Sequence, residues 1–198
     1  MTDSRLNIES YSFWKAVNEA EANGTLVMTF GRFNPPTIGH QWLFQTMLKT
    51  ATRERGTALV FTSHSQDAKK NPLPYEEKCG LIQKLLPKGL KLVRTNARTM
   101  AEVLAELKNR FKKLILIVGD DRTGGFSWID KCKDDYGLSE VKIVSSGARS
   151  GATKIQNASA TAMRAAAKAD DFEEFKELSP FDERTSTKLF DRLKALLK

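Results

Sequence analysis

Five short apolar runs alternate with longer amphipathic stretches along most of the chain. Each run holds four to six residues rich in Leu, Val, Ile and Phe, which is typical of a buried β-strand. Because apolar residues are nearly continuous in these runs, the pattern indicates a parallel sheet that is buried on both faces. The predicted strands lie at residues 25–30, 57–62, 90–94, 114–118 and 141–144.

Helical spacing of apolar residues fills the gaps between the predicted strands. Met100, Val103, Leu104 and Leu107, for example, follow the i, i+3, i+4, i+7 spacing of a buried helical face. The helices predicted between strands lie at residues 39–52, 75–86, 99–111 and 123–134. We therefore expect an α/β fold with one doubly wound, five-stranded parallel sheet.

Beyond residue 157 the pattern becomes entirely helical. Ser179-Pro180 separates the last two of three predicted helices, which lie near residues 159–168, 170–177 and 185–197. We expect these helices to form a C-terminal cap on the sheet. The predicted organisation is thus a helical N-terminal extension, a main α/β domain and packed C-terminal helices, at residues 1–24, 25–168 and 169–198.

The composition excludes several classes of protein. Among the 198 residues, 40% are hydrophobic and 28% are charged, which is typical of a globular domain. The chain holds no apolar run long enough to span a membrane, and its first ten residues lack the apolar stretch of a signal peptide. We therefore expect a cytoplasmic protein with no membrane partner. Two cysteines and two histidines are too few for a disulfide scaffold or a multi-histidine metal site.

The excess of positive charge is concentrated in the middle of the chain. The formal net charge is +8 at pH 7. Residues 63–98 hold eight basic and three acidic side chains, whereas residues 158–198 hold eight of each. Such a focused charge favours a compact anionic ligand and makes a nucleic acid an unfavoured partner.

The loop after the first predicted strand, GRFNPPTIGH at residues 31–40, holds the most informative side chains. Gly31 allows a tight exit from the strand, and Gly39 lets a ligand lie against the first helical turn. Thr37 stands where the helix begins, so it can cap the helix or contact a ligand. His40 lies beside the unsatisfied N–H groups of the helix N-terminus, which form a natural phosphate site.

This loop resembles the GxFxPxTxGH signature of the HIGH-type nucleotidyltransferases, the cytidylyltransferase-like superfamily. The resemblance implies a Rossmann-like fold and an enzyme that joins the nucleoside monophosphate of a triphosphate to an acceptor phosphate, with release of pyrophosphate. It implies catalytic roles for His40 and for Thr37, which stands where many members have histidine. Implied nucleotide contacts in the same loop are Gly31, Arg32, Phe33, Gly39 and His40.

Two further segments match the same superfamily in the expected order. VGDDR at residues 118–122 resembles its V-G-x-D-R segment, near the base and ribose. ASATAMR at residues 158–164 resembles its ISSTxxR motif, which opens a helix and holds the outer phosphates, although Ala158 and Ala160 depart from that pattern. The nucleotide-binding residues that these segments imply are Gly119, Asp121, Ser159, Thr161 and Arg164.

The loop after the second strand indicates a subfamily. SHS at residues 63–65, KNPL at residues 70–73 and EEK at residues 76–78 are similar to the S-H-T…K-N-P-F…E-R pattern of archaeal-type nicotinamide mononucleotide adenylyltransferases. The resemblance implies a catalytic role for Lys70 against phosphate charge. The implied acceptor-binding residues are Ser63, His64, Lys69, Asn71 and Trp128.

The three tryptophans have different interpretations. Trp128 either stacks on a flat nicotinamide or base, or packs in the core. Trp14 and Trp42 are interpreted as packing residues.

The reaction that the resemblance favours is adenylyl transfer from ATP to nicotinamide mononucleotide, which yields NAD and pyrophosphate. Mg²⁺ would arrive with the nucleoside triphosphate, because the sequence offers no carboxylate cluster suited to a resident metal. Three alternatives stay open: a cytidylyltransferase that uses CTP and a phospho-alcohol, a nucleic-acid-binding protein, and a catalytically idle relative. The expected partners are ATP and a phosphate-bearing acceptor, and a homo-oligomer is also open.

Overall fold

The computed structural model describes residues 24–147 and 158–197, which form a five-stranded sheet covered by helices. The strands are β1 Thr25–Gly31, β2 Thr57–Thr62, β3 Leu90–Leu92, β4 Lys113–Val118 and β5 Glu140–Ser145. Their order is β3-β2-β1-β4-β5, and every neighbouring pair is parallel. This architecture confirms the predicted doubly wound, Rossmann-like fold. The order reverses between β1 and β4, so the loops after these strands border a crevice.

The described residues form seven α-helices. They are α1 Ile38–Glu54, α2 Tyr75–Leu85, α3 Met100–Glu106, α4 Trp128–Lys131, α5 Ala160–Ala169, α6 Phe172–Leu178 and α7 Glu183–Leu196. One prediction is wrong in kind: the helix expected at residues 123–134 is replaced by the 3₁₀ segment Asp120–Phe126, the single turn α4 and a second 3₁₀ turn, Lys133–Tyr136. Gly124 and Gly125 lie in this region, and glycine disfavours a continuous α-helix.

Side chains from the two faces of the sheet enter two separate apolar clusters. Met28 of β1 packs in the cluster that includes Val103 of α3. The next residue along the chain, Val27, packs on the opposite face with Phe44 and Met47 of α1. Successive residues of a strand point to opposite faces, so a strand that is buried on both faces needs a continuous apolar run.

The three C-terminal helices form a third cluster and confirm the predicted helical cap. Leu73, from the loop after β2, is buried in this cluster together with Met163 of α5 and Phe175 of α6. Arg192 of α7 donates two hydrogen bonds to Glu77 of α2, at 3.1 and 2.6 Å. These contacts place the start of α5 beside the loops after β1 and β2.

The predicted N-terminal extension at residues 1–24 lies outside the described residues except for Gly24, and so does Trp14. None of the described helices has the length and apolar character that a membrane span requires.

Candidate active site

A cavity of about 540 Å³ opens at the carboxyl edge of the sheet. Loops after four of the strands and the first turns of α1 and α5 form its wall. Twelve of the sequence-predicted residues line it, namely Gly31, Arg32, Phe33, Gly39, His40, Lys70, Asn71, Gly119, Asp121, Ser159, Thr161 and Arg164. The fold therefore brings together motifs that lie far apart in the chain; Asn34 and Arg164, for example, are separated by 130 positions. What each side chain binds stays a prediction.

His40, the third residue of α1, is held from two sides. Its Nδ1 accepts a hydrogen bond from the Thr37 N–H at 2.9 Å. Its ring lies edge-on to the Phe33 ring, with the two centroids 4.8 Å apart. Because Nδ1 accepts from the backbone, the proton of the neutral imidazole lies on Nε2. The local structure therefore makes Nε2 a hydrogen-bond donor on a side chain that lines the cavity.

Phe33 determines the shape of the loop between β1 and α1. Its φ is +46°, and its ring folds beneath Gly31, where it is almost completely buried. A Cβ atom at position 31 would lie only 2.8 Å from the Phe33 ring. The close approach explains why glycine stands at the end of β1, and it places Phe33 against His40.

Thr37 lies behind His40 and is not among the residues that line the cavity, so the structure shows the capping role, and its catalytic role stays a prediction. The side chain is only 1% exposed. Its Oγ1 donates to the Ala158 carbonyl at 3.2 Å and lies 3.1 Å from the His40 Nδ1. The threonine therefore joins the start of α1 to the segment before α5 and supports the imidazole from behind.

Four cationic side chains line the cavity, namely Arg32, Lys70, Arg122 and Arg164, each from a different segment. Burial lowers the pKa of Arg164, and the charge of Arg32 lowers it further, while Asp67 raises it. Bringing like charges together in a partly buried position is unfavourable unless an anion compensates them. The arrangement is therefore suited to a ligand with several negative charges.

Asn34 is a functional residue that the sequence analysis missed. Its Nδ2 donates to the Leu73 carbonyl, and its Oδ1 accepts from the Leu73 N–H, both at 3.0 Å. Its own carbonyl accepts a hydrogen bond from Arg164 Nη1 at 2.7 Å. Through these three hydrogen bonds the buried Asn34 connects its own loop to the loop that holds Leu73 and to helix α5. No local pattern could reveal these partners, which lie 39 and 130 positions away.

Asp67, also missed, folds the loop that carries Lys70. Its Oδ1 accepts from the N–H groups of Lys69 and Lys70 at 2.9 and 2.6 Å, and its Oδ2 accepts from Asn71 Nδ2 at 2.6 Å. These hydrogen bonds, with that of Lys70 the largest contribution, lower the pKa of Asp67 to about 2. The ionised carboxylate therefore stabilises the turn that presents Lys70 to the cavity.

Of the predicted acceptor-binding residues, only Asn71 lines the cavity. Ser63 is buried at the end of β2, and Lys69 is exposed in the turn that Asp67 folds. His64 stacks on Tyr75, with centroids 3.8 Å apart, and its Nε2 lies 2.7 Å from the Thr95 carbonyl. The structure thus places Ser63, His64 and Lys69 elsewhere, because each side chain or its backbone already takes part in the packing of the loop.

The structure also separates the two described tryptophans. Trp128 packs against the core cluster of Met28 and Val103, so it takes the packing role that the sequence analysis left open and does not line the cavity. Trp42 is 44% exposed, and its interpretation as a packing residue is therefore wrong.

The loops after β4 and β5 are tied together beside Gly119. The carboxylate of Asp120 accepts from the Ser145 hydroxyl, and the Ser145 Oγ accepts from the Gly147 N–H at 2.9 Å. Asp120 and Gly147 both line the cavity, although the resemblance assigned neither of them a role. Asp121, which it did assign, is largely exposed at the cavity mouth. The described residues contain no group of three or more His, Cys, Asp or Glu side chains placed to hold a metal ion.

Lys78 of α2 is fully buried beneath the loop that follows β2. Its ammonium donates to the carbonyls of Ser63 and Ser65, the second of which is 3.4 Å away. Burial lowers the pKa of Lys78 from 10.5 to about 8, because the charged amine loses its hydration. This buried amine therefore anchors the start of the loop that carries Lys70.

The buried amine predicts a dependence of stability on pH. Between pH 8 and pH 10.5 the native amine is neutral, whereas the amine of the unfolded chain is still protonated. The unfolded chain then binds more protons, so the free energy of unfolding rises with pH. Urea titrations of the wild-type protein and of Lys78→Met measure this effect. We expect the difference between their free energies of unfolding, wild type minus variant, to rise by about 2–4 kcal/mol from about pH 7 to about pH 10. A difference between the two proteins that stays constant would contradict this assignment.

Comparison with known proteins gives the family. The model of the cytidylyltransferase-like family matches residues 28–182. No protein with a curated description matches the chain. A Vibrio parahaemolyticus structure, provisionally assigned as a nicotinate-nucleotide adenylyltransferase, is 14% identical, with 84% of this chain and 98% of that chain covered and a TM-score of 0.49. A macrolide-efflux protein from Streptococcus pneumoniae is 18% identical, with 82% and 57% covered and a TM-score of 0.47.

The family match covers most of the chain, from β1 through the cavity loops, α5 and α6 to the start of α7. It includes all three segments on which the sequence resemblance rests. This protein belongs to the cytidylyltransferase-like family of nucleotidyltransferases.

Proposed function

We propose that this protein transfers the adenylyl group of ATP to the phosphate of an acceptor, with nicotinamide mononucleotide as the first candidate. One observation carries the proposal: His40 and four cationic side chains, from four separate segments, line a single cavity. Transfer of a nucleotidyl group requires positioning and neutralisation of charge more than covalent catalysis. A cavity with this lining supplies both.

In the proposed reaction, an oxygen of the acceptor phosphate attacks the α-phosphorus of ATP. The bond between the α-phosphorus and the oxygen that leads to the β-phosphate breaks, and pyrophosphate leaves with that electron pair. His40 donates its Nε2–H to a non-bridging α-phosphate oxygen as negative charge develops there. The capping contact from Thr37 to Nδ1 keeps the imidazole in the tautomer that can donate.

The outer phosphates of ATP are assigned to the other side of the cavity. Arg164 donates to the Asn34 carbonyl and to Thr161 Oγ1, so its guanidinium is oriented before a ligand arrives. Lys70 approaches from the turn that Asp67 folds. The start of α5, capped by Ser159, adds backbone N–H groups that favour an anion. Mg²⁺ enters with ATP as part of the substrate, held mainly by phosphates and water.

The choice of nicotinamide mononucleotide rests on the loop after β2. Lys70 and Asn71 belong to the segment that is similar to the archaeal-type adenylyltransferases, and both line the cavity. Neither His64 nor Trp128 lines it, so they lend the acceptor assignment no support.

Pyrophosphate release from each of four nucleoside triphosphates, with and without nicotinamide mononucleotide, tests the proposal. We expect NAD and pyrophosphate from ATP with nicotinamide mononucleotide, and a preference for ATP over CTP of at least about tenfold, or roughly 1.4 kcal/mol. Pyrophosphate from CTP with glycerol phosphate, and none from ATP with nicotinamide mononucleotide, would instead support a cytidylyltransferase. Calorimetric binding of ATP without turnover on any acceptor would indicate an idle relative.

A further inference from the structure

Trp42 is the large hydrophobic side chain that the described part of the chain leaves exposed, with 44% of its surface accessible. Its Nε1–H donates to the Ser146 carbonyl at 2.9 Å, and Ser146 lines the cavity. The indole also lies close to Lys49, whose ammonium is 5.7 Å from the ring centroid. Because the N–H is paired, the exposed part of the ring is flat and apolar. These two contacts hold the ring next to Ser146, beside the cavity, although Trp42 is not itself one of the lining residues.

The position of Trp42 on α1 places it near one particular end of the cavity. It follows Gly39 by three residues, and residues three apart are neighbours on a helix surface. Gly39 lines the cavity and has no side chain, so a ligand can lie close to the helix backbone there. The hydrogen bond to Ser146 brings the same ring to the end of β5.

The two ends of the cavity differ in charge. Three of the four lining cations, Arg32, Lys70 and Arg164, lie on the loops after β1 and β2 and on α5. The loops after β4 and β5 contribute mainly glycine, serine and aspartate, and the arginine there, Arg122, lies 4.0 Å from Asp121. Phosphates therefore favour the first end, and the nucleoside of the same molecule must extend toward the second end, beside Trp42.

We infer that Trp42 is the platform on which the base of the nucleoside triphosphate stacks, an inference that rests on the proposed function. A purine covers more of an indole face than a pyrimidine does, so the platform favours ATP and GTP over CTP and UTP. Stacking of a base on an aromatic side chain is sequence-tolerant and contributes through contact area.

Calorimetric binding of ATP and of inorganic tripolyphosphate, which lacks the base and the ribose, tests the inference. We expect Trp42→Leu to lower the affinity for ATP by roughly fivefold to a hundredfold, the range that base stacking gives. The affinity for tripolyphosphate should change by less than about twofold. Trp42→Phe keeps a flat ring but loses the N–H, so we expect it to retain most of the ATP affinity. ATP should also quench the fluorescence of Trp42, a signal lost in Trp42→Phe and kept in the matched variant Trp128→Phe.

Several outcomes would overturn the platform. Equal weakening of ATP and tripolyphosphate by Trp42→Leu would mean that the ring only supports the cavity wall. If Trp42→Phe lowers the affinity for ATP as much as Trp42→Leu does, the effect comes from loss of the hydrogen bond to Ser146. If the wild-type protein is a dimer and Trp42→Leu is a monomer with unchanged affinity for ATP, the ring belongs to an interface between two copies of the chain. Absence of binding by both ATP and tripolyphosphate would overturn the proposed function as well, whereas ATP binding that ignores Trp42 would overturn the platform alone.

Discussion

His40→Ala is expected to lower turnover by roughly 10²–10⁴-fold, because removal of a donor aimed at developing charge costs about that much. Because Nδ1 accepts from the Thr37 N–H, Nε2 is the nitrogen of this cavity-lining side chain that carries the proton and is proposed to donate. In the proposed reaction the cationic side chains hold ATP by its phosphates, so the loss should appear in kcat rather than in the affinity for ATP. Steady-state pyrophosphate release, with single-turnover measurements beside it, gives both quantities.

Stability controls separate this loss from a folding defect. His40→Ala also removes the acceptor for the Thr37 N–H, so we expect the free energy of unfolding to fall by about 1 kcal/mol. His40→Gln can place an amide N–H near the position of Nε2, and it should retain more turnover than His40→Ala. A folded His40→Ala protein with near-normal kcat would rule out the assigned role.

Arg164→Ala is expected to lower the affinity for ATP by roughly 10–100-fold and the affinity for AMP by much less, since a hydrogen bond to a charged group contributes about 1.5–3 kcal/mol. AMP lacks the β- and γ-phosphates that Arg164 is proposed to hold. The guanidinium is oriented by Asn34 and Thr161 before binding, so little side-chain entropy remains to be lost. Lys70→Ala should show the same selective loss, because Lys70 approaches the same cavity from another loop.

Two further variants make the Arg164 result specific. Arg164→Lys keeps the charge but cannot donate to both neighbours in one plane, so it should recover only part of the affinity for ATP. Arg192→Ala is a matched control, because Arg192 also makes a two-point contact, but with Glu77 between α2 and α7. It should leave the dissociation constants for ATP and AMP unchanged. Equal losses for ATP and AMP in Arg164→Ala would place Arg164 away from the outer phosphates.

The order and type of the main elements could be predicted because they depend on local patterns. The runs around Met28 and Ile115 are continuous in apolar residues, and such runs become strands buried on both faces. A parallel sheet then places every βα loop at the same edge, so the motif segments were expected to meet there. The region of Gly124 and Gly125 is the exception, because glycine interrupts an apolar pattern that otherwise favours a helix.

The roles of individual side chains depended on contacts that no local pattern contains. Asn34 is paired with Leu73 and Arg164, which lie 39 and 130 positions away. Of the two described tryptophans, Trp128 packs on the core, one of the two roles left open for it, whereas Trp42, expected to pack, lies exposed beside Ser146. Both are aromatic residues on helices, Trp42 on the long helix α1 and Trp128 on the single turn α4, and only the neighbouring elements decide which face of a helix is covered.

The sequence by itself thus determined the sheet, the cap and the segments that form the cavity, because hydrophobic periodicity and the order of motifs can be read without knowing which distant residues are in contact. Only the tertiary structure decided which side chains reach the cavity and which support it from behind. Thr37 and Asp67 act through His40 and Lys70, by hydrogen bonds whose geometry exists once the loops are folded. The physical reason is that polar side chains are oriented by partners across the fold, whereas apolar periodicity is already present in the chain.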